Sequence, residues 1–204
     1  LGMLSKGHFV EVDRSMLVGK YLGQTASKTL EVMRKAKGGV LFIDEAYTLS
    51  CYQYAEYADY GSECIDAMVK YMEDNRDDLI VIVAGYRDEM RAFIQANPGL
   101  KSRFNTYIDF QDYSPSELFR IFRNLAKEQG YSVETAEFQS FMGFFCDVHD
   151  AKNGTFGNGR AVRNVLQKSI ENHACRVSTK ESLDKSDLIT LKAEDLPESW
   201  TEFI

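Results

Sequence analysis

Two adjacent acidic residues, Asp44 and Glu45, directly follow four apolar residues at 40–43. A buried parallel strand delivers its last residues to the carboxyl edge of its sheet, where open α/β proteins bind their ligands. At such an edge, the first acid can hold Mg²⁺ through water, because this hard ion prefers carboxylate oxygens. The second acid can orient and deprotonate an attacking water. The pair therefore predicts phosphoryl-transfer chemistry; the alternative is a strand that ends in a solvated acidic turn.

The elements that must position this pair predict a parallel α/β sheet. The runs at 40–43 and 79–86 are apolar throughout, which is typical of strands buried on both faces. Alternating patterns predict two more strands. The predicted strands are 8–12, 40–43, 79–86 and 106–110, and the helices predicted between them are 24–37, 62–73 and 88–96. Strands that alternate with helices along the chain indicate parallel pairing.

The pattern changes to helices alone after Tyr113. Ser114 can cap a helix that has Pro115 at its first position and Glu117 three residues after the cap, which is a capping box. The helices predicted in this part are 114–129, 134–148 and 159–177. We therefore place a domain boundary near residue 113, with an α/β domain at 1–113 and a helical domain at 114–204.

Composition and charge argue against several classes of protein. The net charge is −7 over 204 residues, whereas nucleic-acid-binding domains are normally basic. No apolar run approaches the roughly 18 residues that a membrane span needs, and we expect no signal peptide. The four cysteines form no CxxC pair and the three histidines lack metal-ligand spacing, so we expect no zinc site. Scattered thiols indicate a reducing compartment, and we expect a cytoplasmic protein.

Four longer segments carry a family resemblance. They occur in this order along the chain: YLGQTASKTLEVMRKAKGGVLFIDEAYTL, DYGSECIDAMVKYMEDNRDDLIVIVAGYRDEM, NPGLKSRFNTYIDFQDYSPSELFRI and FGNGRAVRNVLQKSIENHA. Together they resemble AAA+ ATPases of the CbbX-like group, which includes the red-type Rubisco activases, the stage V sporulation protein K proteins and related modules of type VII secretion. The resemblance covers nearly all of residues 1–178. It implies a P-loop NTPase (AAA+) sheet followed by a small helical lid, and an ATPase that remodels a client protein through the pore of a ring.

The resemblance assigns roles to four residues of the first domain. Asp44 matches the Mg²⁺-coordinating acid of the Walker B motif, and Glu45 matches the catalytic base. Tyr86 stands where many AAA+ proteins carry a polar sensor-1 residue that detects the γ-phosphate. Arg103 matches the arginine finger, which reaches the nucleotide site of the neighbouring subunit. A planar, permanently charged guanidinium suits this task because it can grip phosphate oxygens with two donors; a plain surface charge is the alternative for Arg103.

The resemblance also assigns roles in the lid and in a loop. Arg160 matches sensor 2 at the start of a lid helix, with Arg163 one turn later as the second candidate. Capping or pairing within the lid helices is the alternative for Arg160. Tyr21, Leu22 and Gly23 match the first pore loop, where an aromatic and an aliphatic side chain grip a polypeptide and the glycine lets the loop move. The alternative for Tyr21 is packing in the core.

The sequence lacks the GxxxxGK[ST] loop that holds nucleotide phosphates. In the family this loop lies between a central strand and a helix, and both precede the region that the sequence covers. We therefore expect a piece of a longer chain, whose sheet lacks a central strand and which binds ATP weakly or not at all. The resemblance implies a full-length parent that uses ATP and Mg²⁺, forms a homo-oligomeric ring (a hexamer) and acts on a client polypeptide. We expect no nucleic-acid or membrane partner.

Two other functions remain open at this point. A non-catalytic AAA+-like module that regulates or scaffolds a partner, without binding nucleotide, would explain the missing loop. Such a module has no need of Asp44, Glu45 and Arg103, which argues against it. A DNA-acting relative such as a clamp loader is disfavoured by the net charge of −7 and by the aromatic loop at Tyr21.

Overall fold

The computed structural model describes residues 2–21, 23–50, 58–151, 156–180 and 182–199. The chain divides into two compact units, Leu1–Asp109 and Phe110–Ile204, and each unit has an apolar core of its own. The first unit combines a parallel sheet with helices, and the second is mainly helical. The predicted fold class, a parallel α/β sheet followed by a helical part, is confirmed.

A three-stranded parallel sheet lies at the centre of the first unit, with its strands in the order β1-β2-β3. The strands are β1 Phe9–Val12, β2 Val40–Ile43 and β3 Ile80–Val83. The last residues of the three strands, Val12, Ile43 and Val83, lie opposite one another. Because the strands are parallel, the residues that follow them meet at one carboxyl edge.

The described part of the first unit contains five α-helices. They are α1 Arg14–Leu17, α2 Thr25–Ala36, α3 Ala58–Asp74, α4 Arg87–Ala96 and α5 Pro98–Arg103. The helices predicted at 24–37, 62–73 and 88–96 are confirmed. Asn97 follows the last residue of α4 and caps the start of α5: its Oδ1 accepts hydrogen bonds from the backbone N–H groups of Gly99 and Leu100, at 2.8 and 3.3 Å.

The core of the first unit lies on one face of the sheet. Side chains alternate between the faces of a strand, so Leu41 and Ile43 of β2 point to the same side, and both are fully buried. They share a core with Met33 of α2 and Met68 of α3, which are also fully buried. Both helices lie on this face because α2 and α3 cross the sheet in the same direction and such crossovers are right-handed.

The opposite face of the sheet, called the bare face below, carries Phe9, Glu11, Val40, Phe42, Ile80 and Ile82. Within the described residues, none of its apolar side chains belongs to the core or packs against it. Phe9 is 59% exposed and Ile82 is 44% exposed. The expectation that 79–86 is buried on both faces is therefore wrong for this chain, and the strand itself ends at Val83.

The prediction of a strand at 106–110 is wrong. The segment has no regular secondary structure, and Ile108 and Phe110 are 79% and 90% exposed. An alternating pattern makes a strand only when a neighbouring strand pairs with its backbone. Within the described ranges, no strand pairs with this segment.

The second unit is built from three longer helices, which confirm the three predicted ones. They are α6 Pro115–Glu128, α7 Phe138–Asp150 and α8 Gly159–Ser178. The capping box before α6 is present: Glu117 N–H donates to Ser114 Oγ at 3.4 Å, and Glu117 Oε2 accepts from Ser114 N–H at 2.9 Å. Phenylalanines fill the core between the helices, where Phe122, Phe141 and Phe145 are fully buried.

A short parallel pair, β4 Ser132–Val133 and β5 Thr190–Leu191, was not predicted. Two residues are too few for a periodic pattern to indicate a strand. Arg176 of α8 holds the second of these strands. Its Nε and Nη2 donate to the two carboxylate oxygens of Asp195, at 2.7 and 2.8 Å, and Nη2 also donates to the carbonyl of Thr190. The hydrogen bonds to Asp195 raise the pKa of the guanidinium above its usual value.

Replacing Arg176 by Ala is expected to destabilise the second unit by about 3 kcal/mol, because the carboxylate of Asp195 stays buried without its partner. Asp195 is 1% exposed, so its carboxylate depends on donors from the protein, and Arg176 supplies two of them. Urea unfolding followed by circular dichroism measures the effect. Lys168→Ala, which breaks an exposed ion pair to Glu171 on the same helix, is the matched control and should change stability by less than about 0.5 kcal/mol. Equal effects of the two variants would contradict the prediction.

Candidate functional site

The acidic pair lies at the carboxyl edge of the sheet, where three strand ends are tied together. The backbone N–H of Asp44 donates to the carbonyl of Val12, at 3.0 Å. The N–H of Ala46 donates to Ala84, and the N–H of Ala84 donates to Ile43, at 3.0 and 2.9 Å. The acids are therefore held by the neighbouring strands on both sides, so their position is set by the sheet and not by a free loop.

Glu45 has a strained backbone. Its φ is +47°, a left-handed conformation that residues with a side chain seldom adopt. Three hydrogen bonds hold it there: its N–H donates to Asp44 Oδ1 at 3.0 Å, and its carbonyl accepts from the N–H and the Oγ1 of Thr48, at 2.9 and 2.7 Å. Such strain persists only where the surrounding structure enforces it, and it is concentrated at functional sites.

Both carboxylates are exposed to solvent. Neither forms an ion pair within the part of the chain that the structure describes. A Mg²⁺ ion typically takes one or two carboxylates, keeps several waters and completes its shell with substrate phosphates. Asp44 fits this mode of binding, in which the ion supplies positive charge to the phosphates. The described residues contain no cluster of three metal-ligating side chains, so this part of the chain offers no closed metal cage.

Tyr86 belongs to the same edge as the acids. It follows β3 and is the residue before the first turn of α4, and its ring centroid lies 6.3 Å from that of Tyr47, two residues after Glu45. The backbone at Gly85 comes close to the Tyr47 ring, because a Cβ at Gly85 would lie 2.7 Å from Tyr47 Cδ1. The structure therefore brings Asp44, Glu45 and Tyr86 to one edge, as the strand pattern predicts.

Arg103 lies elsewhere in the first unit. Its side chain is 23% exposed and its Nη2 donates to Glu73 Oε2 at 2.9 Å, while Nη1 donates to the carbonyl of Gly99 at 3.1 Å. Glu73 is at the end of α3, and this helix of 17 residues spans about 25 Å from the carboxyl edge of β2 to the amino end of β3. Arg103 is thus bonded at the edge opposite to Asp44 and Glu45. Within one chain, Arg103 therefore does not lie near Asp44 and Glu45.

Residues 21–23 lie in the loop that connects α1 to α2. Tyr21 is 69% exposed, so packing in the core, the alternative considered for it, is wrong. Gly23 has a φ of +78°, which the missing side chain permits. Leu22 lies outside the described residues.

Arg160 and Arg163 are in the second unit, in the first turns of α8, and both are exposed. Neither side chain has a hydrogen bond or ion pair to any described residue, so Arg160 does not cap or pair within that part of the lid. The residue before the helix, Asn158, has a φ of +46° and is held by side-chain bonds to Asp112 and to the backbone N–H of Tyr113, at 2.7 and 2.9 Å. The start of α8 is thereby fixed to the segment that precedes α6.

The sequence patterns missed three residues that hold these groups in place: Arg14, Lys28 and Glu73. Arg14 donates to the carbonyl of Thr48, next to the acids. Its place two residues beyond the end of β1 is a signal that could have identified it, because ligand sites form at carboxyl edges. Nothing in the local pattern marks Lys28 or Glu73, whose partners are distant in sequence.

Other candidate groups can be set aside. Burial raises the pKa of the Cys64 thiol to about 11, so it is not a nucleophile at neutral pH. Across the described ranges, no helix has the length and apolar character to cross a membrane.

Comparisons with known proteins agree with this geometry. Residues 2–112 match the family model described as ATPase family associated with various cellular activities (AAA), and residues 114–203 match the AAA lid domain. Stage V sporulation protein K of Bacillus subtilis is 43% identical over 197 residues, which are 96% of this chain and 60% of that protein. Protein CbbX of Cereibacter sphaeroides is 44% identical over 198 residues, or 96% of this chain and 63% of that protein.

A solved structure shares the fold. The crystal structure of the FIGL-1 AAA domain superimposes with a TM-score of 0.60 at 15% identity, covering 95% of this chain and 60% of the other. The chain thus spans less than two thirds of these proteins. The chain belongs to the AAA family of ATPases and, within it, to the group that contains CbbX and stage V sporulation protein K.

Proposed function

We propose that this chain is the larger part of an ATP-hydrolysing module, and that the full-length protein uses it to remodel a client polypeptide. The observation that carries the proposal is the acidic pair: Asp44 and Glu45 are exposed, lack ion-pair partners in the described part of the chain, and are held at the carboxyl edge with Glu45 in a strained conformation. A solvated acidic turn has no need of that strain.

Each acid has one task in the proposed reaction. Glu45 accepts a proton from the water that attacks the γ-phosphate, since a carboxylate near that water is a suitable base. Asp44 holds Mg²⁺, which neutralises charge on the phosphates when bound. Tyr86, at the same edge, is placed to contact the γ-phosphate, as a sensor-1 residue does.

Arg103 serves a neighbouring subunit in this proposal. Its position at the opposite edge from Asp44 and Glu45 supports action between subunits, because it cannot approach the acids of its own chain without leaving Glu73 and crossing the length of α3. The guanidinium would then stabilise charge that develops on the phosphates in the transition state. This arrangement needs a homo-oligomeric ring, for which a hexamer is the expected size.

The bare face and the open edge of β3 support the proposal that further chain completes the sheet. β3 ends the described sheet, so its outer backbone groups lack strand partners, which is a liability that proteins normally cover. The five apolar residues of the bare face, Phe9, Val40, Phe42, Ile80 and Ile82, also lack a covering helix within the described residues. A strand beside β3 followed by a helix over this face would cover both, and the loop between them would supply the missing phosphate-binding residues.

The lid and the loop complete the proposed module. Arg160, or Arg163 one turn later, is exposed and without a partner among the described residues, so either is available to bind phosphate. Tyr21 is exposed on a short loop, which supports contact with an extended client polypeptide in the pore.

A non-catalytic interaction module is the second candidate, favoured by the absence of GxxxxGK[ST] from the sequence. In that case, the acids would bind neither Mg²⁺ nor nucleotide, and the strain at Glu45 would have no catalytic use. The two candidates differ in what the full-length protein binds.

Nucleotide binding by the full-length protein is the experiment that separates them. We expect it to bind ATP with micromolar to millimolar affinity and hydrolyse it with Mg²⁺, and residues 1–204 alone to bind at least about tenfold more weakly. Asp44→Asn in the full-length protein should weaken Mg²⁺ binding, so that hydrolysis needs a higher Mg²⁺ concentration. Isothermal titration calorimetry and phosphate release measure these effects. A full-length protein that neither binds nor hydrolyses ATP would establish the non-catalytic alternative.

A further inference from the structure

A four-residue helix, α1, connects the carboxyl end of β1 to the loop that carries Tyr21. Asp13, directly after β1, starts the helix by accepting a hydrogen bond from the backbone N–H of Met16, at 3.2 Å. Leu17, its last residue, is fully buried in the core of the first unit. The helix is therefore fixed at both ends.

The first residue of this helix reaches the turn that begins with Asp44 and Glu45, called the acidic turn below. Arg14 Nη1 donates to the carbonyl oxygen of Thr48. Thr48 in turn donates twice to the carbonyl of Glu45, from its N–H at 2.9 Å and from its Oγ1 at 2.7 Å. Two successive hydrogen-bonding steps thus join the guanidinium to the backbone of the strained acid.

The other end of the helix is bonded to α2. Lys28 Nζ donates to the carbonyls of Ser15 and Val18, at 2.6 and 2.9 Å. Thr29, which is fully buried, donates its hydroxyl to the carbonyl of Leu17 at 3.1 Å. These three bonds satisfy carbonyls at the end of α1 and keep the helix in one position relative to α2.

The two ends of the loop are closed against each other. The N–H of Gly19 donates to Thr25 Oγ1 at 3.1 Å. A Cβ at Gly19 would lie 2.7 Å from the Cβ of Gln24, so the chain passes too closely here for any side chain. The loop therefore has a firm base, and its exposed tip at Lys20 and Tyr21 follows any movement of that base.

We propose that Arg14 is a positioning residue that couples the acidic turn at Asp44 and Glu45 to the Tyr21 loop. The inference rests on the proposed ATPase function, which gives both ends of the connection their roles. When a nucleotide changes the backbone at Glu45, the Thr48 carbonyl moves, Arg14 follows it, and α1 passes the displacement to the base of the loop. Arg14 touches neither nucleotide nor client in this mechanism.

Hydrogen–deuterium exchange on the full-length protein tests the coupling. The readout is deuterium uptake of peptides spanning 16–26, with and without the non-hydrolysable nucleotide AMP-PNP and Mg²⁺. We expect the nucleotide to change uptake there in the unaltered protein. In Arg14→Ala this nucleotide-dependent change in uptake should shrink by at least about twofold, which is the lower range of effects seen for coupling residues. The affinity of this variant for AMP-PNP should stay within about threefold of that of the unaltered protein. Arg14→Lys, which keeps a donor, should retain part of the change.

Two further variants separate coupling from loss of structure. Lys28→Ala loosens the base of the loop without touching the acidic turn, so it should raise uptake at 16–26 equally with and without nucleotide. Arg91→Ala removes an exposed guanidinium that pairs with Asp88 on its own helix, so it should leave the nucleotide-dependent change intact.

The outcomes are distinct. An Arg14→Ala variant with the full nucleotide-dependent change would overturn the proposal, and so would one that no longer binds AMP-PNP, since Arg14 would then act in binding. Nucleotide binding without any change at 16–26 in the unaltered protein would overturn the coupling and leave the ATPase function standing. A full-length protein that binds no nucleotide would refute both.

Discussion

Replacing Glu45 by Gln in the full-length protein is expected to lower ATP turnover by about 10²- to 10⁴-fold, the contribution typical of a general base. The amide has the shape of the carboxylate but cannot accept a proton from water. ATP binding should persist, because Glu45 is not assigned to hold the phosphates and its backbone bonds to Asp44 and Thr48 do not involve its carboxylate. Steady-state phosphate release and calorimetric binding measure the two effects separately.

Glu31→Gln is the matched control. Glu31 is an exposed carboxylate on α2 that pairs with Lys35 at 2.7 Å, so its neutralisation should leave turnover unchanged. If Glu45→Gln turned over ATP as fast as this control, the assignment of the base would be wrong. If Glu45→Gln lost ATP binding as well, its role would lie in holding nucleotide.

Replacing Arg103 by Ala is expected to lower turnover by about 10³- to 10⁵-fold, the range for an arginine finger. The reason is the loss of a delocalised positive charge where negative charge develops. The structure places Arg103 away from the acids of its own chain, so the loss should be felt in the neighbouring subunit.

Mixing two inactive variants shows whether Arg103 acts between subunits. A subunit with Arg103→Ala keeps its own Glu45, and a neighbour with Glu45→Gln still offers an intact Arg103. Mixed rings should therefore regain part of the activity that neither variant has alone. Mixtures as inactive as the separate variants would show that both residues act within one chain.

Glu73→Gln distinguishes the finger from a structural ion pair. Glu73 is half exposed and holds Arg103 at 2.9 Å, and such a pair contributes only about 0.2–1 kcal/mol to stability. If Arg103 serves the neighbouring site, Glu73→Gln should leave turnover within about fivefold of the unaltered protein. If the work of Arg103 is to hold α5 on α3, both variants should lose activity alike.

Most helices and the three strands of the first unit were predictable because their residues form a periodic pattern or a continuous apolar run. The capping box at Ser114 and the apolar run at 40–43 each specify an element through contacts between near neighbours. The acidic pair was predictable for the same reason, since it directly follows a buried strand. The segment 106–110 was not, because an alternating pattern predicts a strand only where another strand pairs with it, and the described sheet offers none at that place.

The residue sequence alone determined the family resemblance, the order of the elements and the acids at the end of β2, since these depend on residue types at short spacing. Tertiary structure decided what depends on contacts between distant residues. It left one face of the sheet bare, bonded Arg103 to Glu73 at the edge opposite the acids, and joined Arg14 to the turn that holds Glu45. These contacts join residues 30 or more positions apart. No local pattern encodes such pairs, because their approach is set by how β1, β2 and α3 pack.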